Sequence, residues 1–194
     1  MSGEVKAGAD TSRAPSSQKI QQVSVGPDVL QMIGGQITVT IDGTDVKVPM
    51  GTTVLEAARR VGVRIPTLCH HPDLCVAGVC RVCVVEVEGQ RALQAACAFP
   101  ITSSLKVKTH TRKVRQARRH ILDLLLSTHY GECYSCKRNN NCELQALAKE
   151  YGVDFYRFGH VTESQVPKDE SSYSVVRDMD KCILCRRCVR TCID

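Results

Sequence analysis

QITVTIDGTDVKVPMGTTVLEAARRVG, residues 36–62, sets the fold. Ile37, Val39 and Ile41 alternate with polar residues, Asp42-Gly43 supplies turn chemistry, and Val46 and Val48 resume the alternation. That pattern is a β-hairpin. Thr52 or Thr53 then caps a helix whose apolar positions Val54, Leu55, Ala58 and Val61 follow helical spacing and which ends at Gly62. Further strands are expected at Val82–Val87, Arg91–Cys97 and Leu105–Thr109, with Glu88-Gly89-Gln90 as a turn. Two hairpins with a helix between them give an α+β class and a β-grasp module over residues 35–110.

Outward from this module the periodicity changes. Thr111 opens a second helix with Val114, Ala117, Ile121, Leu124 and Leu125 on one face, running to about His129. A cysteine-rich loop follows, then a short helix from about Cys142 to Tyr151, stopped by Gly152, so that residues 111–158 form a small helical domain. Residues 159–174 are polar, contain Pro167 and read as a linker; Val175-Val176 is expected to form a short strand opening a last unit, 175–194. Residues 1–34, rich in Ser, Ala, Gly and Gln without a sustained period, are expected to be a mobile tail.

Twelve cysteines, no tryptophan and 4% aromatic residues stand out in a chain of 194. Small aromatic-poor modules bury little apolar area, so another element must hold them. Disulfides belong to secreted chains, and nothing at the N-terminus has the apolar core of a signal peptide. No stretch approaches the length of a membrane span. A reducing, cytoplasmic setting follows, with cysteines held as thiolates by metal. The net charge of +6 counts no thiolates, and metal-bound sulfurs offset much of it. The basic run 112–119 lacks the stacking aromatics of a nucleic-acid surface, so it reads as a solvated face or a docking surface for an acidic partner.

The cysteines fall into three groups. Cys69, Cys80, Cys83 and Cys97 have the spacing C-x10-C-x2-C-x13-C. Two bridged irons need four thiolates, two for each iron, and Gly78 lets the loop curl and aim backbone N–H groups at sulfur. A structural zinc site also takes four cysteines, but usually as two short pairs. The spacing therefore favours a 2Fe–2S cluster. Cys75 is left over from this arithmetic and reads as a plain thiol. His70 and His71, beside Cys69, read as capping or exposed residues.

The second group is His129, Cys133, Cys136 and Cys142 in HYGECYSCKRNNNC. Three thiolates are one short of a cubane, and a neutral imidazole can take the fourth iron, making the 4Fe–4S cluster less anionic. A histidine at a helix C-terminus is also favourable simply as a positive charge. The three neighbouring cysteines tip the balance to ligation. Lys137 and Arg138 are placed to stabilise a reduced state or to face water. The third group, Cys182, Cys185, Cys188 and Cys192, has the C-x2-C-x2-C-x3-C run of a bacterial-type 4Fe–4S ferredoxin, in which the fourth cysteine serves another cluster. Either the site is incomplete here and shared with further residues, which is the expected case, or the four close one cluster among themselves.

The stretches IPTLCHHPDLCVAGVCRVCVVEVEG, LQAACAFPI, NCELQALAKEYGV and VRDMDKCILCRRCVRTC resemble the N-terminal relay region of iron-only hydrogenase large subunits. The resemblance covers residues 36–194 and a superfamily that includes the large iron–sulfur subunit of NADH dehydrogenase and NAD-linked formate dehydrogenases. It implies a 2Fe–2S domain, a His/Cys3 4Fe–4S domain and a two-cluster ferredoxin domain feeding a hydrogenase catalytic domain. It also implies a flavin- or NAD-using subunit, or a soluble ferredoxin, as electron partner. No acid, base or nucleophile constellation marks a catalytic site, and the cysteines of a hydrogen-activating cluster are not among these residues. One-electron transfer is the expected function.

Overall fold

The structure is a computed structural model that describes residues 35–129, 133–153, 158 and 166–193. The tail expected over 1–34 lies outside them, as do residues 159–165 of the expected linker.

β1 (Gln36–Ile41) and β2 (Thr44–Pro49) form the hairpin, pairing Ile37 with Val48 and Val39 with Val46. Asp42 and Gly43 both take positive φ, 48° and 90°, the requirement of a two-residue primed turn. Thr53 caps α1 (Val54–Arg60) in a reciprocal box. Its hydroxyl accepts from the Glu56 N–H, and its own N–H donates to the Glu56 carboxylate. Val54, Leu55, Ala57 and Ala58 are buried.

β3 (Val84–Val87), β4 (Gln94–Ala95) and β5 (Leu105–Lys108) complete a five-stranded sheet of order β2-β1-β5-β3-β4. All three are shorter than the alternation predicts. β5 is inserted between the hairpins, parallel to β1 and antiparallel to β3. Val39, Ile41, Val48, Leu55, Val85, Ile101 and Val107 form the core of this module.

Thr111 caps α2 (Arg112–Ser127), which packs with α3 (Glu143–Glu150) into a second core. Its buried face is Val114, Arg118, Leu122 and Leu126, with Ile121 and Leu125 only flanking it. Leu124, expected on that face, is exposed. Four leucines crowd residues 122–126, and packing against α3 decides which of them turn inward. The helix also stops at Ser127, with His129 just beyond it.

The C-terminal segment carries a 3-10 turn, Met179–Lys181, and α4 (Arg187–Ile193). Val175 and Val176 form no strand. They are exposed, and the local pairing is a single bridge between Asp169 and Arg177.

Candidate metal centres

Cys69, Cys80, Cys83 and Cys97 come together at the seam of the two cores. Cys83 and Cys97 pack with the sheet, Cys69 and Cys80 with the helices, and all four are buried. α1 places Cys97: its first N–H groups need acceptors outside the helix, and Val54 and Leu55 donate to the carbonyls of Phe99 and Ala96. β3 fixes the other side, since Val84 follows Cys83 directly. The Cys83 and Cys97 sulfurs are 3.4 Å apart. Gly78 and Arg81 hold positive φ, 61° and 58°, curling the loop between the cysteines as expected for Gly78.

The four thiols are close enough to share protons. Hydrogen bonding with Cys80 and then Cys97 holds Cys69 far below the usual thiol range, and hydrogen bonding with Cys97 lowers Cys83 to about 7. The other two thiols respond oppositely. Cys80 is pushed up by its bond to Cys69 and by burial, and Cys97 by its bonds to Cys69 and Cys83. Backbone N–H groups of Cys80 and Val79 also point at the Cys69 sulfur. Among the described residues no three His, Cys, Asp or Glu side chains converge on a single ion. A bridged diiron cluster asks only two thiolates of each iron. Buried, mutually hydrogen-bonded sulfurs with N–H groups aimed at them suit such a group, since iron would replace their shared protons.

His129, Cys133, Cys136 and Cys142 line one cavity of about 260 Å³, together with Arg138 and Lys181. Burial, then Cys142 and Cys136, push the Cys133 thiol up, and Lys181 opposes them. Thiols that resist one another's ionisation suit a shared cation. The Arg138 N–H lies 3.5 Å from the Cys136 sulfur, and Asn140 holds φ 62° in the same loop. Lys181 is a site residue that the sequence does not single out. Only its place just before Cys182 hints at a metal site.

The third group is more open. Cys182, Cys188 and Cys192 are exposed, and Cys185 is partly buried. Leu184 and Arg186 take positive φ, 54° and 59°, and the Leu184 N–H reaches the Cys182 sulfur at 3.4 Å. This loop has the form of a cluster-binding turn, and Cys188 and Cys192 follow on α4. Among the residues outside the three groups, Cys75 is exposed. His71 accepts at Nδ1 from the Asp73 N–H, 3.3 Å away, whereas His70 has its Nε2 buried.

Arg118 belongs to the basic run expected to form a solvated face, yet it is fully buried. Its neighbours in the run, Arg112, Arg115 and Arg119, line an open groove of about 860 Å³ with His110 and Glu150.

Residues 34–112 match the family described as 2Fe-2S iron-sulfur cluster binding domain, and residues 118–157 the NADH-ubiquinone oxidoreductase-G iron-sulfur binding region. An NADP-reducing hydrogenase subunit (HndD) of Solidesulfovibrio fructosivorans is 46% identical over 161 residues, 80% of this chain and 27% of that protein. The NADH-ubiquinone oxidoreductase 75 kDa subunit of Reclinomonas americana is 40% identical over 154 residues, 79% of this chain and 22% of that one. The chain thus spans about a quarter of the length of these relatives. A chain in the crystal structure of an NAD+-reducing [NiFe]-hydrogenase in the H2-reduced state superposes with TM-score 0.74 at 36% identity, over 81% of this chain and 66% of that one. Among the described residues no helix is long and apolar enough to cross a membrane.

Proposed function

We propose that this chain, an iron–sulfur electron-transfer relay with 2Fe–2S and 4Fe–4S binding regions, serves an NAD(P)-linked hydrogenase. The observation that carries the relay is the convergence of two separate groups of cysteine and histidine side chains, one at the seam of the cores and one around the His129 cavity. When bound, the clusters take up and release single electrons. The protein's part is to hold Cys69, Cys80, Cys83 and Cys97 for a 2Fe–2S group and His129, Cys133, Cys136 and Cys142 for a 4Fe–4S group. It also excludes water and tunes charge around them. Cys182, Cys185 and Cys188, with Cys192 serving a neighbouring site, are assigned to a bacterial-type 4Fe–4S ferredoxin unit. The partition into a β-grasp unit, 35–110, a His/Cys3 unit, 111–158, and a ferredoxin unit, 175–194, is part of this reading.

Identity with the NADP-reducing hydrogenase subunit supports the hydrogenase branch. Within it, the DMDKCILCRRCVRTC ending supports the iron-only kind. The similarity to the NADH-ubiquinone oxidoreductase 75 kDa subunit favours one competing reading, a relay in NADH dehydrogenase. Partners on either reading are a flavin- or NAD-using subunit, or a soluble ferredoxin, in the cytoplasm. A hydrogenase catalytic domain is added on the first. The basic groove on α2 suits an acidic electron donor.

Anaerobic preparation with iron and acid-labile sulfide analysis tests the relay. About six irons belong to the first two groups, with more where the third is loaded. Hydrogen-dependent reduction of these centres in the complete complex supports the hydrogenase branch. Reduction by NADH alone, with no response to hydrogen, supports the alternative. A colourless, iron-free protein with zinc or crosslinked sulfurs at these positions overturns both.

A further inference from the structure

We infer that Arg190 is a positioning residue for the first cysteine group, holding its ligand loop in place and setting the charge around it. This rests on the iron–sulfur reading of Cys69, Cys80, Cys83 and Cys97.

Arg190 stands on α4, among the cysteines of the third group, 121 residues from Cys69. Its side chain is nevertheless directed into the first. Nη2 donates to the carbonyl of Cys69 and Nη1 to the carbonyl of Cys75, while Nε reaches the Arg186 carbonyl at 3.4 Å. Arg187, three residues earlier, donates to the His70 carbonyl at 3.1 Å and pairs with Glu143 on α3 at 3.1 Å. Two guanidinium groups therefore take three carbonyls of the single loop that joins Cys69 to Cys80. A planar fork is suited to spanning two acceptors at once, which an ammonium is not.

The charge argument is separate. Arg190 is only 6% exposed, and its acceptors are main-chain carbonyls. A buried cation is costly unless negative charge lies close by. Thiolates of the first group, whose Cys69 carbonyl Arg190 holds, supply it when they hold iron, as do those of the third group on its own helix, because such clusters are net anionic. Reduction adds a further negative charge, which a neighbouring guanidinium stabilises. Arg190 thus favours the reduced form of the first centre, and it ties the helix bearing Cys188 and Cys192 to that centre's loop.

The full chain is prepared anaerobically as wild type, Arg190→Met and Arg190→Lys. The 2Fe–2S midpoint is followed by EPR and the amide hydrogen exchange of residues 70–79 by mass spectrometry. Arg190→Met is expected to shift the reduction equilibrium at least tenfold toward the oxidised state, about 59 mV for one electron. It is also expected to speed loop exchange at least tenfold. Arg190→Lys keeps the midpoint near wild type yet still loosens the loop. Arg190→Gln is read in the same way where the methionine variant yields no loaded protein. A faster loop with an unchanged midpoint in the methionine variant overturns the electrostatic role, and both unchanged overturns the inference. A wild-type chain without a 2Fe–2S signal overturns the underlying iron–sulfur reading instead.

Discussion

Arg118 on α2 donates from Nε and Nη2 to the carbonyl oxygen of Val84 on β3, at 3.2 and 2.9 Å. Its remaining arm, Nη1, reaches the Tyr151 hydroxyl at 3.1 Å. Val84 follows Cys83, and Tyr151 closes α3. One fully buried side chain therefore joins the strand leaving the first cysteine group to both helices that frame the second. Its fork does for the seam what a continuous core would otherwise do.

Removing that fork should destabilise the chain as a unit. Arg118→Met keeps much of the apolar stem but strands the Val84 carbonyl and the Tyr151 hydroxyl. The expected loss is about 1–3 kcal/mol, the range for a buried polar group left unpaired. Urea unfolding of the cluster-loaded protein should show a lower midpoint, with Arg118→Lys between it and wild type. A wild-type midpoint for the methionine variant would mean that the fork contributes nothing net.

Gly78 holds a left-handed backbone in the loop between Cys69 and Cys80. Its φ is +61°, and a Cβ there would meet the Ala98 Cβ at 3.4 Å, an ordinary contact. The cost of Gly78→Ala is therefore backbone strain rather than collision, about 1–2 kcal/mol for a left-handed residue. Gly78→Val should cost more, because a branched side chain tolerates this region poorly. Thermal unfolding of the loaded variants, beside an iron assay, separates destabilisation of the loop from loss of metal. A valine variant as stable as wild type would show that the loop relaxes freely.

How much of this was legible depended on whether the signal was local. The hairpin register was open to reading, since Ile37, Val39, Val46 and Val48 alternate about Asp42-Gly43. The box between Thr53 and Glu56 also lies within four residues. The cysteine spacings alone grouped the sulfurs, because two groups are short runs and the first joins a C-x2-C turn to two cysteines on neighbouring segments. Pairing at a distance was not legible: nothing in Leu105–Lys108 announces a strand parallel to β1. Arg118 and Arg190 sit in runs of charge that a solvated helix face would share. Only an acceptor carbonyl contributed by another element distinguishes them, and composition does not encode one.

The basic groove makes a prediction with opposite signs in two measurements. Arg112 and Lys113 occupy the first turn of α2, which holds no acidic residue, so they oppose the helix dipole. Replacing Arg112 and Arg115 by Glu should leave stability unchanged or raise it by a few tenths of a kcal/mol. The same change should slow reduction by an acidic donor protein at least tenfold at low salt, since steering charges act on association rates. High salt should narrow the difference as screening shortens. Stopped-flow reduction across a salt series reads this directly. Equal rates at low salt would remove the groove from the electron-entry route.

His129 offers the sharpest test of ligand identity, because its replacement can preserve a donor while changing its charge. It lies just past the end of α2 and lines the cavity shared with Cys133, Cys136 and Cys142. If its imidazole holds the fourth iron, His129→Cys exchanges a neutral ligand for a thiolate and makes the cluster more anionic. The reduced state is then disfavoured, and the midpoint should fall by at least about 59 mV, a tenfold change in a one-electron equilibrium. Iron content should stay at the wild-type value. His129→Ala, which supplies no donor, should lose the 4Fe–4S signal or convert it to a cluster with fewer irons. EPR-monitored titration of both variants beside wild type distinguishes ligation from a helix-end charge. A helix-end histidine predicts wild-type iron and midpoint in each variant, and that result would remove His129 from the ligand set.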